Sequence, residues 1–159
     1  MKNELEYIKW YEDEKLGIYF STMPSVSVRY IVPSNTEEER KSISKYPFIS
    51  KRELKVQLCN KKKQKVYNFV IPKGYCYDGA SIPKLFWRVI GANTDNHFLI
   101  PALIHDVMCE HHEYIDNDRA FSTNVFNALL YTEDVGSCKR FFMKNSVACF
   151  QTLFAKWGK

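Results

Sequence analysis

The sequence predicts an α+β protein: an N-terminal antiparallel sheet of several short strands packed with a C-terminal bundle of about four helices. Three observations predict it. Composition shifts near residue 72, so the two halves read differently. Leu54, Val56 and Leu58 alternate with Lys55 and Gln57, the period of a strand with one buried face. Near the C-terminus Cys138, Phe142, Cys149, Leu153 and Trp157 recur at helical spacing.

The elements follow in order. Leu16 to Phe20 and Val26 to Val32 are short runs rich in Val, Ile, Tyr and Phe, and read as strands. Ser34 to Ser44 carries Glu37, Glu38, Glu39, Arg40 and Lys41 and reads as a loop or a short exposed helix. The alternating strand at 54–58 and a second β-rich run, Lys65 to Ile71, flank Asn60-Lys61-Lys62-Lys63 and form a hairpin with a basic tip. Pro83 suits the first turn of a short helix ending near Ile90, before Gly91. Thr94 or Asp95 caps a helix reaching about His112, with Pro101 tolerated near its start. Asp116 caps the next helix, to about Tyr131. Gly136-Ser137 breaks the chain, and a last helix runs to about Trp157. Its apolar stripe belongs to the core or to a partner face.

The 159 residues suit one domain, and an apolar fraction of 45% supplies a core without disulfides or structural metal. No stretch approaches the roughly 20 apolar residues of a membrane span. The N-terminal residues mix Lys, Asn and Glu and lack the apolar centre of a signal peptide, which places synthesis in a cytoplasm. Five Cys without a CxxC pair read as reduced thiols. The net charge of +5 permits an anionic partner. It does not single out nucleic acid, which is a third and weaker reading resting on Lys61, Lys62, Lys63 and Lys65 beside Tyr67 and Phe69.

Residues 77–118 carry the candidate chemistry. Asp78 stands in Tyr77-Asp78-Gly79-Ala80-Ser81-Ile82-Pro83, a turn leading into a helix start. Such a corner binds anions or supplies oxygens to a cation; equally, Asp78 and Ser81 can bond only their own backbone. His105 and Asp106 sit inside an apolar helical run, where an unpaired polar group costs a few kcal/mol. They must be paired or open onto a cleft. Asp118 precedes Phe121, Val125 and Leu129 at helical spacing, so it is expected on the inward stripe, accepting from one ring nitrogen of His105. The other nitrogen is then free as a general base. A structural ion pair of Asp118 with Arg88 or Arg119 is the alternative. His105, Cys109 and His112 also share one helix face and, with Asp106, His111 or Glu113, compose a weaker zinc constellation, with no HExxH spacing behind it.

These residues carry a family resemblance. Ile71-Pro72-Lys73-Gly74-Tyr75, Asp78-Gly79-Ala80-Ser81-Ile82-Pro83, Phe86-Trp87-Arg88, His105-Asp106 and Asp118 resemble, in order and spacing, an uncharacterised domain family widespread in tailed phages and prophages. The similarity covers about residues 66–155, with residues 1–65 as a β-rich part largely outside it, within one domain. The family commonly has an aromatic at Cys109 and Ala at Asn117. The resemblance implies a phage or prophage origin, with Asp78, Ser81, His105, Asp106 and Asp118 as signature positions. More locally, the His-Asp helix followed by an Asp-x-x-Phe helix is similar to the paired helices of calcium-dependent phospholipases of the A-two type. That similarity implies His105 as base, Asp106 as metal ligand and Asp118 as orienter. The Gly-rich calcium loop of those enzymes is absent; Asp78 is the candidate to complete an oxygen-rich site.

The expected function is therefore a phage accessory hydrolase acting on an ester, amide or phosphodiester of an anionic small or polymeric substrate. His105, Asp118 and Ser81 would be catalytic, and Asp78 and Asp106 would bind a divalent metal (calcium, magnesium or zinc). The alternative is a non-catalytic virion or tail component, or a protein that binds a host factor, in which the His-Asp-Asp set is structural. A His105 enclosed by protein would favour the second, and an open cleft reaching it the first.

Overall fold

The computed structural model describes residues 6–79 and 96–153. Seven strands come first: β1 (Ile8–Glu12), β2 (Leu16–Phe20), β3 (Val26–Val28), β4 (Phe48–Ser50), β5 (Leu54–Asn60), β6 (Lys65–Ile71) and β7 (Cys76–Tyr77), with helix α1 (Glu37–Lys45) between β3 and β4. Helices α2 (Asn96–Glu110), α3 (His112–Ile115), α4 (Arg119–Thr132) and α5 (Ser137–Leu153) complete the described chain. This is the α+β architecture expected.

Two antiparallel sheets form, a four-stranded one in the order β1-β2-β5-β6 and a three-stranded one in the order β3-β4-β7. In the larger sheet Leu54, Val56 and Leu58 of β5 and Tyr67, Phe69 and Ile71 of β6 are buried while their neighbours face outward. That alternation is what the sequence shows, because a pleated strand sends successive side chains to opposite faces. Strand β3 ends at Val28, short of the expected Val32. The acidic segment forms α1, closed by a capping box: Glu39 N–H donates to Thr36 Oγ1, and Glu39 Oε2 accepts from Thr36 N–H.

The helices pack on the buried sheet face and share one core with it. Tyr67 of β6 stacks on Phe121 of α4 with ring centroids 4.8 Å apart. Helix α2 is buried on most sides, with Phe98, Leu103, Ile104, Val107 and Met108 all enclosed. Burying each such side chain contributes roughly 1.5–3 kcal/mol.

Three expectations are corrected here. The helix expected to end near His112 ends at Glu110, and a separate turn, α3, follows; Asp116 closes that turn in the left-handed region, φ 59°. The cap of α4 is Asp118, not Asp116. The inward stripe of α5 is Met143, Val147 and Gln151, whereas Cys138, Phe142 and Cys149 are exposed. Two stripes of similar periodicity run along that helix, and docking against α4 selected the other one. The expected short helix from Pro83, and Trp157, lie outside the described residues.

Candidate functional site

The site is assembled where β7 delivers its following turn to α2. Phe48 of β4 pairs with Tyr77 of β7, and the buried Tyr77 hydroxyl donates to the Leu99 carbonyl of α2 at 2.8 Å. That bond ties the turn to the helix. Gly79 then adopts φ +87°, and a Cβ there would lie 2.5 Å from Phe48 Cε2. Both the backbone angle and the ring exclude a side chain. The chain is thereby directed so that Asp78 and the Gly79 N–H meet Asp106.

Asp106 is strongly perturbed. Burial, then the charge of Asp78 and a carboxyl–carboxyl hydrogen bond with it, then Glu110, push its pKa well above the ordinary carboxylate range, against the Gly79 N–H. Its side chain keeps 18% exposure, yet Oδ2 is buried without a hydrogen-bond partner among the described residues. Asp78 is itself exposed. Glu110, one turn along α2, accepts a short hydrogen bond from the Tyr75 hydroxyl, whose pKa burial and Glu110 raise.

His105 lies behind this pair and is only 7% exposed. The Gln151 side-chain amide of α5 donates to His105 Nε2 at 2.8 Å and to Cys109 Sγ at 2.9 Å. With the carboxamide in this orientation Nε2 accepts and the ring proton sits on Nδ1, while Gln151 Oε1 is left buried without a partner among the described residues. Nδ1 lies 3.7 Å from Cys109 Sγ and 4.0 Å from Asp106 Oδ1, the latter too far for a hydrogen bond. Phe126 covers the ring, with centroids 5.0 Å apart. Burial pushes the imidazole down to about 4, so it is neutral at pH 7. Burial likewise pushes the Cys109 thiol up to about 12.

The expected His105–Asp118 pair does not form. Asp118 is the N-cap of α4: Oδ1 accepts from Phe121 N–H at 2.8 Å, and Oδ2 accepts from Lys63 Nζ at 2.7 Å. As a cap it stands outside the helix's apolar stripe, and the ion partner it meets is Lys63. The brace on His105 comes instead from Gln151. Ser81, Arg88 and the rest of the Phe86-Trp87-Arg88 block lie outside the described residues. The zinc constellation is not assembled either, since His112 Nδ1 turns to the Cys109 carbonyl at 3.0 Å. Among the described residues no group of three or more His, Cys, Asp or Glu side chains is arranged to hold a metal.

The basic hairpin tip is used internally. Lys61 pairs with Glu12, Lys63 with Asp118 and Lys65 with Asp116, which fastens the β5–β6 turn to β1 and to both ends of the α3–α4 connection. Gln151 and the Tyr75–Glu110 pair were missed in the sequence. For Gln151 a signal exists: it continues the Met143–Val147 row at i+4, and a polar residue in line with an apolar stripe needs a buried partner.

An α+β scaffold presenting a carboxyl pair in front of a buried neutral imidazole is the class that fold and site define. Residues 52–147 match the family described as "Protein of unknown function (DUF1353)", and the chain belongs to that family. It is also similar to the uncharacterised protein y4jT of Sinorhizobium fredii (strain NBRC 101917 / NGR234), with 45% identity over 40 residues. That match covers 25% of this chain and 12% of the relative. No solved structure matches.

Proposed function

We propose that the protein is a phage- or prophage-encoded accessory hydrolase that cleaves an ester, amide or phosphodiester bond, with the Asp78–Asp106 carboxyl pair as its working centre. The observation that carries this reading is that pair: an exposed Asp78 set close enough to Asp106 to raise its pKa, and a half-buried Asp106 with one enclosed oxygen that has no partner among the described residues. Like charges so close do not both ionise unless a cation lies between them; without one the pair keeps a proton. With a proton, Asp106 is the acid and Asp78 the base that activates water. With a cation, the pair suits calcium or magnesium better than zinc, because both are oxygen-seeking and magnesium needs only one or two protein carboxylates. His105 is a positioning residue here: neutral, fixed by Gln151, and holding Nδ1–H toward Asp106 without a direct bond. Ser81, three residues after Asp78, is assigned a polar contact to substrate on the sequence alone. The ordered motifs of residues 71–118 support the phage origin, with synthesis in the host cytoplasm.

One observation favours a second reading, in which the protein is a non-catalytic virion or host-factor-binding component. His105 is enclosed and hydrogen-bonded within the fold, as a structural staple would be.

A panel of p-nitrophenyl esters, bis-p-nitrophenyl phosphate and peptide anilides, run with EDTA and with added calcium, magnesium or zinc, separates the two. Calorimetric titration of each metal accompanies it. Turnover that falls about 100-fold or more in Asp106→Asn and Asp78→Asn supports the hydrolase. No turnover of any substrate, together with no divalent binding, overturns it and leaves the second reading.

A further inference from the structure

We propose that the N-terminus of α4 and the facing side of α5 form a binding site for the phosphate group of a small phosphate monoester, separate from the carboxyl pair. A cleft of about 750 Å³ opens there, lined by Asn117, Arg119, Thr123 and Asn124 on one side and Lys144 and Thr152 on the other. Helix α4 is 14 residues long, and the N–H groups of its first turn point out along its axis toward negative charge.

The second and independent observation is Asn117. Its side chain lines this cleft and is only 8% exposed, yet neither Oδ1 nor Nδ2 has a hydrogen-bond partner among the described residues. A buried carboxamide with both ends open calls for a group that accepts from its NH₂ and donates to its oxygen. A phosphate monoester on a hydroxyl-bearing carbon skeleton offers both.

The charges agree. Asp118 also borders the cleft, but its carboxylate is already engaged by Lys63 at 2.7 Å and by Phe121 N–H. Lys144 has no carboxylate within 4.0 Å among the described residues. Arg119 Nη1 reaches across to Thr152 Oγ1 at 3.4 Å, so the guanidinium spans the space between α4 and α5. The cleft therefore carries a net positive lining and a helix N-terminus. Its volume exceeds that of an inorganic ion and falls in the range of small-molecule sites, about 300–1,000 Å³. Lys144 supplies the point charge that a phosphate dianion would meet on the α5 side.

The test is heteronuclear NMR titration of the full chain with inorganic phosphate, with ribose 5-phosphate and with sodium chloride at matched ionic strength. The expected result is saturable shifts of the backbone amides of Asn117, Arg119 and Ala120 and of Lys144 with both phosphates, tighter for ribose 5-phosphate. Lys144→Ala should weaken binding about tenfold, and Asn117→Ala should remove the preference for the sugar phosphate. Should Asn117→Ala fail to fold, Lys144→Glu, at a partly exposed position, takes its place and should abolish the shifts. Shifts reproduced by chloride, or unchanged in the Lys144 variants, overturn the proposal. So does an Asn117→Ala variant that loses stability while binding ribose 5-phosphate as before, which would assign the carboxamide to an ordered water. Hydrolase activity is not part of the readout, so the two proposals fail independently.

Discussion

Replacing Asp118 separates its structural work from the catalytic role that sequence spacing gave it. Asp118→Ala removes two interactions at once: the cap bond to Phe121 N–H and the ion pair with Lys63. Losing an N-cap costs about 1 kcal/mol. A partly exposed ion pair is worth at most about 1 kcal/mol. The sum is about 1–2 kcal/mol, a fall in Tm of roughly 2–8 °C for a domain of this size. Asp118→Asn keeps the cap acceptor and loses only the charge, so its cost should stay below about 1 kcal/mol and match Lys63→Ala. The pH dependence has a definite sign. Burial raises the Asp118 pKa, but Lys63, the Phe121 N–H and Lys65 together hold it below the ordinary carboxylate value. A depressed carboxyl stabilises the fold above its unfolded pKa and loses that contribution as pH falls. The deficit of the Ala variant should therefore shrink below about pH 4. Urea and thermal unfolding at pH 7 and pH 3, followed by circular dichroism, measure it. An Asp118→Asn protein of wild-type stability that loses about 100-fold or more hydrolysis would refute this account and restore Asp118 to the catalytic set.

Asp106→Asn should raise Tm at neutral pH while abolishing hydrolysis. A carboxyl whose pKa the fold raises is a cost above its unfolded value, and the amide removes that cost. A lowered Tm in that variant would show that the buried carboxyl stabilises the fold. His105 titrates near 4 in the fold against about 6.5 unfolded, so the unfolded chain takes up the proton first as pH falls. Stability should drop between about pH 6.5 and pH 4 by up to about 3 kcal/mol, and His105→Gln should flatten that limb in urea-midpoint measurements. Gly79→Ala should cost about 1–3 kcal/mol from the backbone angle alone, with the Phe48 contact added, and should lower hydrolysis by displacing Asp78. Wild-type unfolding midpoints in that variant would show that the turn tolerates a Cβ.

Much of the secondary structure was legible because its signals are local. The alternation in β5 and β6 needs only neighbouring residues, and the capping box of α1 spans four. Strand β1, Ile8–Glu12, was missed because four of its five residues are charged or amphipathic at an open sheet edge and carry no clean alternation. At Asp116-Asn117-Asp118 two acceptors two residues apart compete for one helix start, and propensity alone does not separate them. The left-handed turn at Asp116 does, by closing α3 and leaving Asp118 to cap α4.

The sequence by itself determined the α+β class, the β5–β6 hairpin and the helical character of the C-terminal half, and it singled out Asp78, His105 and Asp106 as polar groups set in or beside apolar runs, because periodicity and its interruptions are properties of adjacent residues. Only the tertiary structure decided which groups meet. Lys63 reaches Asp118 across 55 positions, Gln151 reaches His105 across 46, and the turn after β7 brings Asp78 to α2. Such partners are selected by how sheet and helices dock to bury the most apolar surface, and a pattern read along the chain carries no record of that choice.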